Sequence, residues 1–156
     1  MGNAIVRLDN IAATKNGTFI KSVKLNKELQ NGSIVEIGGL VTGEREMHVT
    51  ATPKVTTTYF GMLTTPEIMY DEKKQIKDFI NTTEKPARAT ILQKGDIFSV
   101  TVEAFTETPI VGKIIELGTT EVMKVVATAT VGSTVIGKVV EIDIVGTNTF
   151  YVVEVQ

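Results

Sequence analysis

Cysteine is absent from this chain, and that absence removes disulfides, thiolate metal sites and a cysteine nucleophile together. Tryptophan is absent too. The six phenylalanines and three tyrosines are scattered, so the rows of rings on which single-stranded nucleic acid stacks are missing. There is one histidine, His48. A Ser-His-Asp arrangement would have to use it, yet no Gly-x-Ser-x-Gly elbow occurs, and His48 reads as a hairpin or surface residue rather than a general base. Neither sign of charge dominates. With 16 basic and 18 acidic side chains the net charge is −2, which gives counterion release no source and argues against direct nucleic-acid binding. Long apolar runs are missing as well: the longest charge-free stretch, residues 125–137, is shorter than the roughly 20 residues of a spanning helix and carries Thr and Gly throughout. No membrane partner is expected. The apolar opening breaks at Arg7 and Asp9, short of a secretory core, so synthesis and residence in the cytoplasm are expected.

What is present favours sheet. The 156 residues include 23 Thr, 20 Val and 16 Ile, β-branched side chains that suit a pleated surface better than a helix. Thirteen glycines and only 4 prolines break them into short runs, as expected for strands joined by tight turns. A domain of this length buries roughly 68–70% of its unfolded surface and needs no covalent staple. The fold class expected is therefore mainly β: a compact β-barrel or β-sandwich body with one short helix, an extended N-terminal segment and a C-terminal β-meander.

Ile110-Val111-Gly112-Lys113-Ile114-Ile115-Glu116-Leu117 recurs 25 residues later as Val135-Ile136-Gly137-Lys138-Val139-Val140-Glu141-Ile142, with Gly, Lys and Glu in register. Each copy opens a hairpin, the first turning at 118–121 and the second at 146–149, and a shared structural environment accounts for the echo. Together the two hairpins read as the meander. Upstream, residues 34–37 and 47–51 form another hairpin, and residues 59–63 and 87–92 are further apolar runs. In residues 97–102 the alternation of Ile97, Ser99 and Thr101 with Phe98, Val100 and Val102 marks one buried face. The helix expected is residues 70–80, where Ile76, Phe79 and Ile80 share a face and Asp71 and Glu72 occupy the first turn. Residues 1–30 differ from the rest: isolated apolar residues sit among polar and basic ones, without a long strand. They read as an N-terminal arm or edge segment, and residues 31–156 as a single β-rich domain whose folding does not need residues 1–25.

Carboxylates occur at Glu67, Asp71 and Glu72 and as the pairs Glu44/Glu46 and Glu141/Asp143, without an EF-hand spacing. No catalytic residue, no cofactor and no metal site is expected. The profile is that of a protein that works through its surface.

Pro66-Glu67-Ile68-Met69-Tyr70-Asp71-Glu72-Lys73, Asp78-Phe79-Ile80-Asn81, Lys85-Pro86-Ala87-Arg88-Ala89 and Gly95-Asp96-Ile97-Phe98-Ser99-Val100, with the opening Met1-Gly2-Asn3-Ala4-Ile5-Val6-Arg7-Leu8-Asp9, resemble small virion structural proteins of tailed phages of Gram-positive bacteria. The resemblance spans most of the first 105 residues and implies a head decoration, or capsid cement, protein on the exterior of the capsid. The implied partners are the major capsid protein and further copies of the chain, with a trimer expected from a lattice that has threefold points. The contact residues expected are Val6, Leu8, Ile11, Phe19 and Ile20 in the arm, and Glu67, Tyr70 and Asp71 in the loop. Two other roles fit the same profile: a tail, neck or fibre-base component, and a carbohydrate-binding β module.

Overall fold

The β-branched residues fall into eleven short strands of a computed structural model that describes residues 2–156. Five of them, β2 (Ile20–Lys24), β3 (Ile34–Leu40), β4 (Met47–Ala51), β5 (Phe60–Leu63) and β6 (Ala87–Thr90), close into a barrel in the order β2-β4-β3-β5-β6. All its pairings are antiparallel except β2 with β4. The other six, β1 (Val6–Asn10), β7 (Ile97–Val100), β8 (Ile114–Glu116), β9 (Lys124–Val126), β10 (Val135–Val145) and β11 (Asn148–Val155), form an antiparallel sheet in the order β1-β7-β11-β10-β8-β9. The protein is mainly β, as its composition implies.

Barrel and sheet are joined by strands buried on both faces. Side chains alternate along a strand, so neighbouring apolar residues serve opposite faces. In β3 and β5, Val35, Ile37 and Leu63 fill the barrel with Val23, Leu25, Ala87 and Ala89. Ile34 and Met62, opposite each other in register, pack instead with Phe98, Val100, Ile115, Val139, Tyr151 and Val153 of the sheet. Backbone bonds stitch the same seam, from Ile34 N–H to the Glu121 carbonyl (2.8 Å) and from Thr134 N–H to that of Val55 (2.7 Å).

In the N-terminal segment, β1 is an edge strand paired with β7, while β2 is a wall of the barrel between β4 and β6; Met1 lies outside the described residues. Two expectations change. Residues 70–80 form no helix beyond a 3-10 turn at Ile76–Asp78. A short helix is stable in a protein only when a face is buried, and here Tyr70, Ile76 and Ile80 all stay exposed. Asp71 and Asp78 accept instead from the N–H groups of Lys73 (3.0 Å) and Gln75 (2.7 Å), which favours turns. The two C-terminal hairpins exist, but not as a meander: β10 pairs with β8 rather than with β9, so the echoed segments lie side by side.

Neighbourhood does not give the echoed residues one environment. Gly112 sits in a turn at φ 92°, whereas Gly137 lies within β10. Glu141 is exposed, whereas Glu116 is fully buried. The Glu116 carboxylate accepts from the Thr130 N–H (3.0 Å) and hydroxyl (2.8 Å), and Lys124, its cross-strand partner, stands 3.3 Å away. Burial pushes this carboxyl up, but the Thr130 bonds and the Lys124 charge outweigh it and hold it below the ordinary 4.5. Glu121 is balanced in the same way, burial being outweighed by Lys27 and the Thr52 hydroxyl of the barrel. Both folded values lie below the unfolded ones, so the stability they contribute is fully present above pH 4.5 and is lost as pH falls through the folded values. Glu116→Gln is expected to lower the melting temperature at pH 7 and to narrow the difference between pH 7 and pH 3.5, read from thermal melts of both proteins.

Candidate functional site

The eight residues expected to make contacts separate into two groups. Val6, Leu8, Phe19 and Ile20 are half-buried against the sheet core, and Ile11 belongs to that core at 4% exposure. These five read as unpacked in the sequence because residues of the core they pack against, such as Phe98 and Val100, lie about 80 to 95 positions away. Glu67, Tyr70 and Asp71 are in the long connection between β5 and β6, residues 64–86. There Asp71 is exposed, and Tyr70 is 93% exposed. Glu67 is half-buried; burial raises its carboxyl despite a hydrogen bond with Asn31.

This connection is anchored at its ends and bare in its middle. The buried Asn31 side chain donates to the Thr65 carbonyl (2.8 Å) and accepts from the Thr65 N–H (3.1 Å). It also accepts from the Asn81 amide (3.0 Å), whose nitrogen lies 3.0 Å from the Leu29 carbonyl too. The N-terminal residues hold the far side: Asn3 donates through its backbone N–H to the Lys77 carbonyl (2.6 Å) and through its side chain to that of Phe79 (3.0 Å). Between these anchors Ile68 (66% exposed), Tyr70, Ile76 and Ile80 stand in solvent. Ile68, Tyr70 and Ile80 line a cleft of about 500 Å³ together with Met69, Phe79, Pro66 and Pro86. Solitary exposed apolar side chains are ordinary, but a group of them on one connection is not.

A second surface escapes sequence reasoning. Lys21 of β2, Arg45 and Glu46 just before β4, His48 within it and Arg88 of β6 line an open cleft of about 460 Å³ on the barrel, together with Ile20, Ser22 and Ala87. The barrel register makes the gathering possible: Ser22 lies opposite both Met47 and Arg88. A carbonyl can only accept, so the 3.0 Å contact of His48 Nδ1 with the Gly38 carbonyl places a proton on Nδ1. No local pattern joins residues 21, 45, 48 and 88, because a parallel β2-β4 pair leaves no turn between its strands to be read. Among the described residues, no group of three or more His, Cys, Asp or Glu could hold a metal ion. No family model, no curated protein and no solved structure matches this chain.

Proposed function

We propose that the protein is a non-enzymatic structural subunit of a virion, a head decoration protein that binds the outer surface of the major capsid protein lattice and stabilises the shell. The observation that carries this reading is the anchored loop of residues 64–86 with Ile68, Tyr70, Ile76 and Ile80 turned to solvent. The same loop carries much of the resemblance to phage virion proteins. Its apolar residues supply the contact area, and its anchors at Asn3, Asn31 and Asn81 lower the ordering cost of binding. A subunit bridging two or three capsomers favours the intact shell by mass action, and once one contact is made the next gains from effective concentration. In this reading the chain is made in the host cytoplasm, acts on the capsid exterior and assembles as a homo-oligomer, a trimer at threefold points.

A tail, neck or fibre-base role is the second reading, and one observation favours it. β10 runs to Val145 but pairs with β8 only over Val135–Lys138, so the exposed Ile142 and Ile144 lie on the part of the β10-β11 hairpin beyond β8. Such a hairpin suits packing in a ring.

Sedimentation with purified undecorated heads tests both. Wild type is expected to pellet with heads. Ile68→Asp/Tyr70→Asp is expected to bind at least about tenfold more weakly, since burying each side chain is worth about 1.5–3 kcal/mol. Its melting temperature should not change, because both residues are exposed. Wild type that stays in the supernatant while binding tails overturns the head assignment, and undiminished binding of the double variant to heads overturns the loop as the contact.

A further inference from the structure

We propose that the cationic cleft over β2, β4 and β6 holds an acidic peptide segment of a partner protein, whose carboxylates engage Arg45, Arg88 and Lys21. This goes beyond the decoration reading, because it stands whether the acidic segment belongs to a shell subunit or to another protein.

Among the described residues three cations have carboxylate partners, Arg7 with Asp143, Lys27 with Glu121 and Lys124 with Glu116, and most of the others stand alone on the surface. The three that line the cleft have no side-chain partner among the described residues, although Glu46 lines it too. In a chain of net charge −2, gathering cations at one place runs against the overall sign. Lys21 and Arg88 project from strands of a barrel without open edges, so their backbones are already fixed when a ligand arrives, and Arg45 stands in the bend that leads into β4. The Ser22 hydroxyl adds a donor for a carboxylate, and His48 Nε2, with the proton on Nδ1, adds an acceptor for a peptide N–H.

The chemistry favours carboxylate over nucleic acid. Guanidinium groups present a planar fork that matches a carboxylate bidentately, and two of the three cations are arginines. No Phe, Tyr or Trp lines the cleft, so His48 is its one ring for a base to stack on, and Glu46 would oppose a continuous phosphate backbone. A volume of about 460 Å³ suits a short extended segment.

The test uses the full chain and fluorescein-labelled hexaglutamate, read by anisotropy at low and near-physiological salt. Saturable one-to-one binding is expected at low salt, weakened severalfold at about 0.15 M as screening predicts. Arg45→Glu/Arg88→Glu is expected to weaken it at least about tenfold with an unchanged melting temperature. Lys94→Glu, at an exposed turn outside the cleft, should leave it within about twofold. Absence of saturable binding, or equal binding by the double variant, overturns the proposal. So does a six-nucleotide oligo-dT that binds more tightly than hexaglutamate and loses that binding in the same variant, which would assign the cleft to phosphate. Because no heads are present, the outcome is independent of whether the chain decorates a capsid.

Discussion

Deletion of residues 1–25 is expected to abolish cooperative folding. The cut removes β2, and with it the parallel ladder to β4 and the antiparallel ladder to β6, so the barrel loses a wall. It also removes β1 from the sheet edge and takes Ile11, Val23 and Leu25, all at most 4% exposed, out of the two cores. Burying a side chain of this size is worth about 1.5–3 kcal/mol, so these three alone contribute about 4–9 kcal/mol. Total stabilities of single domains are about 5–15 kcal/mol, so little remains. The bared edges of β4 and β6 would also invite pairing with other chains. Expression of the truncated chain should give aggregated material, or soluble protein without a sigmoidal melt by circular dichroism. A soluble monomer melting near the full-length temperature would return the N-terminal segment to the status of an arm.

The second large effect is expected at Gly137. Its φ is not in the left-handed region, so the demand is for space rather than for conformational freedom. A Cβ there would collide with the backbone carbonyl oxygen of Glu154 on β11 and stand 2.9 Å from that carbonyl carbon. A backbone atom has no rotamer in which to retreat, so even alanine must push β10 away from β11. That movement would disturb the pairs Gly137–Val155 and Val139–Val153, whose valines are buried. Gly137→Ala is expected to cost about 3 kcal/mol, at the upper end of overpacking effects. For a domain of this length that is a fall of about 6–12 °C in melting temperature. Gly39→Ala is the control: nothing lies within 4 Å of its Cβ, and the change is expected to be neutral or slightly stabilising. Equal melting temperatures for the two variants would mean that β10 and β11 separate without penalty.

Legibility in the sequence follows what a local pattern can encode. The burial of Phe98 and Val100 in β7 follows the alternation of residues 97–102, and Gly146 marks the turn between β10 and β11. Which edges meet is another matter. Nothing near Ile20 announces that β2 runs parallel to β4, nor does anything near Lys124 say that β9 ends beside β8 alone. The helix expected over residues 70–80 rested on correct spacing of Ile76, Phe79 and Ile80, but spacing names a face without supplying anything to cover it. Of the two surfaces, the loop with Tyr70 and Asp71 was legible as one continuous run of sequence. The cleft of Lys21, Arg45, His48 and Arg88 was not, since it exists only once the barrel has closed.

The pairing of β1 with β7 has a consequence for the birth of the chain. Val6 is matched with Val100, so β1 has no place to settle until 94 further residues have been made. At about 5–20 residues per second this is an interval of roughly 5–20 s. The barrel strands, complete by Thr90, can close within it. Residues made before the whole barrel thus belong to a layer assembled after it, and Val6 and Leu8 wait meanwhile as an unprotected greasy thread that a chaperone could shelter.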